Sequence, residues 1–222
     1  MNRKIYIMAQ GKGARWKSAD MGYKQLLPIT KLGVGYSTII GRTIYQLWGE
    51  NNTLIAPEDF PINVMHQTFK NPGEILHGIW LTYKELSWDY DRVIILLGDV
   101  IFSNYAIKKI FADDRPFSFY GRLGENKVTG KSQSEIFGIS IYREKHKEVA
   151  DACYWTWRMM AMHNLPAKLW TLYHAFDKPE LLVQFYDYTD DVDFPEEWEL
   201  LHFKLQQCVA EDDANANRNS HD

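Results

Sequence analysis

Three short stretches of this sequence carry residue types that suit phosphate chemistry. Gly11-Lys12-Gly13-Ala14-Arg15 follows directly on an apolar run, Lys4 to Gln10. Glycines let the backbone turn with positive φ and approach a ligand closely. Successive N–H groups in such a turn form an anion cradle, and Arg15 adds a planar, permanently charged fork for phosphate oxygens. By itself G-x-G-x-R also describes an ordinary turn, and Trp16 stands where a dinucleotide fingerprint needs a third glycine. Lys24 then places a cation before an apolar turn, Gln25-Leu26-Leu27-Pro28-Ile29. Gly98-Asp99 ends the most apolar run of the chain, and Asp191-Val192-Asp193 precedes Pro195. Each acid has a plain reading as well, as a turn cap or as a solvated group favoured by a helix dipole.

The elements that must hold these residues alternate. Lys4–Gln10, Asn52–Ala56 and Arg92–Leu97 read as strands, and Ser37–Trp48 and Gly73–Leu86 as helices, with Ser37 as a cap. Strands alternating with helices imply a parallel sheet with right-handed crossovers. Ligands bind such sheets beyond the carboxyl ends of the strands. The loop after Gln10 and the Gly98-Asp99 turn both fall there. Further on, Pro116–Tyr120, Glu135–Tyr142 and Leu181–Tyr188 read as strands. Glu144–Met162, Ala167–Phe176 and Pro195–Cys208 read as helices. The expected architecture is a three-layer α/β/α Rossmann-like domain with a mostly parallel mixed sheet. It spans residues 1–210, and the polar segment 211–222 is expected to be a disordered tail.

G-x-G-x-R followed by K-x-L-L-P-I resembles the nucleotidyltransferases of the sugar-1-phosphate, phosphocholine and isoprenoid-precursor type, which share a GT-A-like fold. Leu97-Gly98-Asp99-Val100 is similar to that superfamily's L-x-G-D turn. Asp191 to Glu197 (DVDFPEE) is similar to its D-x-D-T-P-E-D segment. The matches keep the superfamily's order over positions 5 to about 200. Gln10, Trp16 and Phe194 depart from the pattern, and none of them removes a needed charge. The resemblance implies transfer of a nucleoside monophosphate from a nucleoside triphosphate to a phosphorylated small molecule, with release of pyrophosphate.

It also implies roles. Arg15, Lys24 and Asp99 would be catalytic. Ala9, Gln10, Gly11, Lys12, Gly13, Gly73 and Gly98 would line the nucleotide, although Gly73-Glu74 reads first as a helix start. Asp99 and Asp193, with Asp191 as the alternate, would hold magnesium or manganese. Tyr120, Arg122 and Glu135 would meet the acceptor. Two competing readings stand beside it: a nucleotide-sugar glycosyltransferase, since Asp191-Val192-Asp193 and Asp89-Tyr90-Asp91 both satisfy D-x-D, and a nucleotide-binding protein without turnover.

Other signals narrow the field. The net charge is −4, which argues against a protein that coats nucleic acid. No apolar stretch is long enough for a signal core or membrane span, and Cys153 and Cys208 form no C-x-x-C pair, so a cytoplasmic protein is expected, with a homodimer left open. Gly130-Lys131-Ser132 looks like a P-loop end but precedes a strand instead of following one, and reads as a polar loop over the site. The seven histidines show no zinc spacing. The Trp155, Trp157, Met159, Met160 and Met162 cluster reads as helix core.

Overall fold

A computed structural model of the chain describes residues 1–10, 23–29, 37–61, 66–69, 74–126, 128–191, 193 and 195–218. Its strands are β1 (Arg3–Met8), β2 (Asn52–Ile55), β3 (His66–Gln67), β4 (Arg92–Leu97), β5 (Val100–Ile101), β6 (Phe117–Arg122), β7 (Glu135–Tyr142), β8 (Leu182–Gln184) and β9 (Asp190–Asp191). Seven of them form one sheet in the order β3-β2-β1-β4-β7-β6-β8. The pairings β1–β2, β1–β4, β2–β3 and β6–β8 are parallel, and β7 runs antiparallel to both β4 and β6. The mostly parallel mixed sheet is thus the one expected.

Alternate residues along each strand point to opposite faces, and both faces are covered. Tyr6, Met8, Val93 and Ile95 pack with residues of α2 (Ile75–Glu85), α4 (His146–Met162) and α5 (Leu169–Phe176). Ile5, Ile7, Ile94 and Leu96 pack with residues of α1 (Ile39–Gln46) and α3 (Asn104–Ala112). Helices on both faces make the three layers. Among the described residues no helix is long and apolar enough to cross a membrane.

Several expectations are corrected. The cap of α1 is Thr38, whose side chain accepts the Gly41 N–H at 3.1 Å, and not Ser37. The strand read over Leu181–Tyr188 is confined to Leu182–Gln184. Asp187 accepts the Thr189 N–H and the Ser103 hydroxyl, and such local bonds compete with a ladder. The final helix, α6, runs from Pro195 to Arg218, past Cys208 where it was expected to end. In the aromatic–methionine cluster Trp157 and Met160 do pack on the core, but Trp155, Met159 and Met162 are exposed.

The β1 and β4 ends approach so closely that a side chain at residue 98 would crowd its neighbours. A Cβ there would lie 2.9 Å from Ile40 Cδ1 and 3.1 Å from both Ala9 Cβ and the Met8 carbonyl oxygen. Gly98→Ala is expected to cost about 1–3 kcal/mol through overpacking. Urea unfolding should show a lower midpoint with an unchanged slope.

Candidate functional site

Four segments deliver charged side chains to the carboxyl edge of the sheet. Asp99 follows β4 directly. β5 then pairs antiparallel with β9, Val100 against Asp191, which brings Asp191 beside the turn that carries Asp99. Glu135 opens β7, opposite Arg122 at the end of β6. Because β7 is the antiparallel strand, its amino end lies where its neighbours have their carboxyl ends. Lys24 begins a short 3-10 turn, Lys24–Leu26, in which the Leu27 N–H bonds to the Lys24 carbonyl. Leu27 and Ile29 are buried with Ile101, Tyr188 and Trp198. The apolar part of K-x-L-L-P-I is therefore an anchor that holds the lysine at the edge.

Lys24 Nζ lies 2.5 Å from Asp99 Oδ2 and 3.5 Å from Asp193 Oδ1. Lys131 Nζ lies 2.7 Å from Asp191 Oδ1, 3.7 Å from Asp193 Oδ2 and 3.8 Å from Glu197 Oε2. Carboxylate oxygens of Glu135, Asp191 and Asp193 all come within 4.8 Å of one another. Burial pulls the pKa of each lysine down. The facing carboxylates outweigh that effect and raise both above the ordinary value, so both stay charged.

The acids shift the other way. Burial lifts Asp191 well above the usual carboxylate range. Lys131 opposes the rise, and Glu135, Asp193 and Asp99 add to it. Glu135 is raised by burial and by Asp193 against the pull of Lys131 and Lys168. These hard oxygen donors fit a divalent cation, which would relieve the repulsion.

A stability prediction follows from Glu135. With its folded pKa raised, the folded protein binds more protons than the unfolded chain above the ordinary carboxylate range, so this group's contribution falls as pH rises through the raised value. Glu135→Gln removes that fall. In chelator, the variant should melt above wild type by about 2–4 °C, the shift expected for roughly 1 kcal/mol in a chain of this size. The gap should widen with rising pH and close in acid. A variant that melts lower at every pH would show that the glutamate charge is already compensated.

Of the residues singled out in the sequence, Lys24, Asp99, Asp191, Asp193 and Glu135 come together. Gly98 N donates to the Met8 carbonyl and packs on Ala9, and Gln10 lies beside Gly78 of α2. Gly11, Lys12, Gly13, Arg15 and Gly73 lie outside the described residues. Tyr120 and Arg122 are interior and do not join the cluster. Tyr120 is 0% exposed, and its hydroxyl takes a bond from Arg92 and gives one to Asp113. Arg122 is 2% exposed and bonded to the backbone and to Asp190. Asp89 and Asp91, the other D-x-D, precede β4 at its amino end and pair with Arg143.

Lys131 was missed as a site residue. Its sequence context, the false P-loop ending, excluded the wrong motif without revealing the acids that the lysine reaches.

No protein-family model matches this sequence, and no curated protein matches it. Solved structures do. The inositol-1-phosphate CTP transferase from T. maritima aligns with a TM-score of 0.60 over 95% of this chain and 97% of its own, at 13% identity. A UDP-glucose pyrophosphorylase complexed with UDP-glucose aligns at 0.58 over 95% and 99%, at 9% identity. The CTP:phosphocholine cytidylyltransferase from Streptococcus pneumoniae aligns at 0.56 over 92% and 100%, at 14% identity. The chain has the nucleotidyltransferase fold. At these identities the likeness concerns the fold alone. Within that fold, the carboxylate–lysine cluster sits where a sheet of this kind receives its ligand.

Proposed function

We propose that the protein is a nucleotidyltransferase that moves a nucleoside monophosphate from a nucleoside triphosphate to a phosphorylated small molecule. One observation carries the reading: Lys24, fixed by a buried apolar anchor, meets Asp99 and Asp193 at the carboxyl edge. Residues 75 and 169 positions apart in sequence thus form one charged centre. In the reaction an acceptor phosphate oxygen attacks the α-phosphorus. The bond from that phosphorus to the oxygen bridging to the β-phosphate breaks, and pyrophosphate leaves with the electron pair. Both partners are anions, so the protein must hold them together and offset charge on the leaving group. Lys24 stabilises the α-phosphate, and Arg15 with the glycine turn takes the β- and γ-phosphates. Lys131 is a second cation, on the side of the acids formed by β7 and β9. A magnesium ion bound by Asp191 and Asp193, with Asp99 or Glu135 completing the oxygen donors, would neutralise charge on the phosphates.

Asp191 and Asp193 also satisfy D-x-D within the cluster, so nucleotide-sugar glycosyl transfer is the second reading. A screen of the four nucleoside triphosphates against phosphorylated sugars and alcohols, read by pyrophosphate release with and without Mg²⁺, separates the two. Magnesium-dependent release supports nucleotidyl transfer. Turnover of a nucleotide-sugar with no pyrophosphate from any triphosphate overturns it.

A further inference from the structure

Asp190 is one residue from the candidate ligand Asp191, yet it faces away from solvent and is 1% exposed. Its acceptor positions are taken by four donors, and Oδ1 also lies 3.9 Å from Lys131 Nζ. Oδ1 takes Arg122 Nη2 at 3.0 Å and the Asp191 N–H at 3.1 Å. Oδ2 takes Asn126 Nδ2 at 3.1 Å and the Thr129 hydroxyl at 2.5 Å. Asn126 and Thr129 belong to the loop between β6 and β7, the loop that delivers Lys131, and Arg122 ends β6 at its start. Asn126 Oδ1 accepts the N–H groups of Val128 and Thr129, which closes the turn. Arg122 Nη1 bonds the carbonyls of Gly124, Lys131 and Gln133 and so ties both limbs of the loop.

A buried ion pair is weak evidence for stability, because desolvation offsets much of the attraction. Its best-attested use is to fix register. Here the pair Arg122–Asp190 locks the loop to β9, and β9 carries Asp191. A slip of the loop by one residue would take the Asn126 and Thr129 donors away from Asp190. It would also move Lys131 off the carboxylates.

We infer that Asp190, acting through Arg122, Asn126 and Thr129, is a positioning residue that sets Lys131 against Asp191 and Asp193 for nucleotidyl transfer. The inference rests on the proposed reaction and adds to it a residue that touches neither substrate nor ion. Thr129 touches Asp190 and the Lys131 N–H but none of the candidate ligands, so its loss should act through the lysine.

The test uses the full chain, the triphosphate and acceptor that give most pyrophosphate, and four variants: Lys131→Met, Thr129→Val, Asp190→Asn and Thr129→Val/Lys131→Met. Thr129→Val is included because Asp190→Asn strands the Arg122 charge and can prevent folding. Lys131→Met should lower kcat by about a hundred-fold and Thr129→Val by about ten-fold, the scale of small misplacements. The KM for the triphosphate should stay within about two-fold of wild type, since the loss is expected in the transition state and not in ground-state binding. In the Lys131→Met background, Thr129→Val should change kcat by less than about two-fold. Losses that multiply in the double variant, or a wild-type kcat in Lys131→Met, overturn the inference while leaving the reaction standing. Wild type that releases no pyrophosphate from any triphosphate overturns the reaction itself, and the inference with it.

Discussion

Lys24→Met should lower kcat for pyrophosphate release by about a hundred- to a thousand-fold, the usual loss when one preorganised transition-state donor is removed. Methionine keeps the length and the apolar stem, so the anchor of Leu27 and Ile29 is left intact. What goes is a charge whose side chain is only 12% exposed and whose nitrogen touches Asp99 and Asp193. Two consequences separate. On the proposed reaction Arg15 and the glycine turn would still hold the ground-state triphosphate, so its KM should rise little. The transition state gains charge on the oxygen that leaves, and there the missing ammonium is felt in full. Lys24→Arg should rescue poorly, because a planar fork does not replace a compact point charge between two carboxylates. Since the lysine pKa is raised, its protonation should not shape the pH profile up to the ordinary range of lysine. Single-turnover kinetics at saturating triphosphate makes the measurement. A variant with unchanged kcat and a large rise in KM would assign Lys24 to binding alone.

The elements were legible where the local signal agreed with the tertiary one. β4 and β7 occupy the residues expected from their apolar, β-branched runs, Arg92–Leu97 and Glu135–Tyr142. The carboxyl-edge rule places Asp99 at the end of β4, where it lies. No periodic signal marks a helix between Val100 and Arg115, where α3 lies. Its nine residues bury only Ala106, Ile107 and Ile110, too few for a clear period. Its start is nevertheless marked, since the Ser103 hydroxyl accepts the Ala106 N–H.

Charges were harder to read than strands, because their partners are distant. Nothing near Lys131 in sequence points to an acid 60 residues away. Asp191 and Asp193 were posed as alternatives for one place, and the structure brings both of them to the cluster. The structure gives each its own lysine contact and places both with Glu135. Tyr120 and Arg122 sit on a strand next to the site, and proximity in sequence said nothing about which way they face. A β-bulge between Tyr120 and Gly121 shifts the register just before Arg122, and such a shift changes which side chains face the core.

The segment after residue 210 leads to the second large effect, because its polarity hid a buried partner. Arg42, on α1, is 1% exposed. It donates to the Phe102 carbonyl at 3.3 Å, the Tyr188 hydroxyl at 3.0 Å, Asp212 at 3.2 Å and Asp213 at 2.6 Å. Asp212 also accepts the Asn104 N–H at 2.7 Å, at the start of α3, where the helix dipole favours an anion. One acid therefore joins α1, α3 and α6. Arg42→Met should cost about 3 kcal/mol, the lower end for breaking a buried pair, because Asp212 and Asp213 keep some contact with water.

Ending the chain after residue 210 should cost about as much, since it leaves the same guanidinium buried without its acids. A dispensable tail would cost nothing. The combination is decisive. Arg42→Met in the shortened chain should add less than about 1 kcal/mol to the truncation, because each change removes the partner of the other. Urea midpoints for the four proteins measure the cycle, and additive losses would mean that α6 and Arg42 stabilise the fold independently.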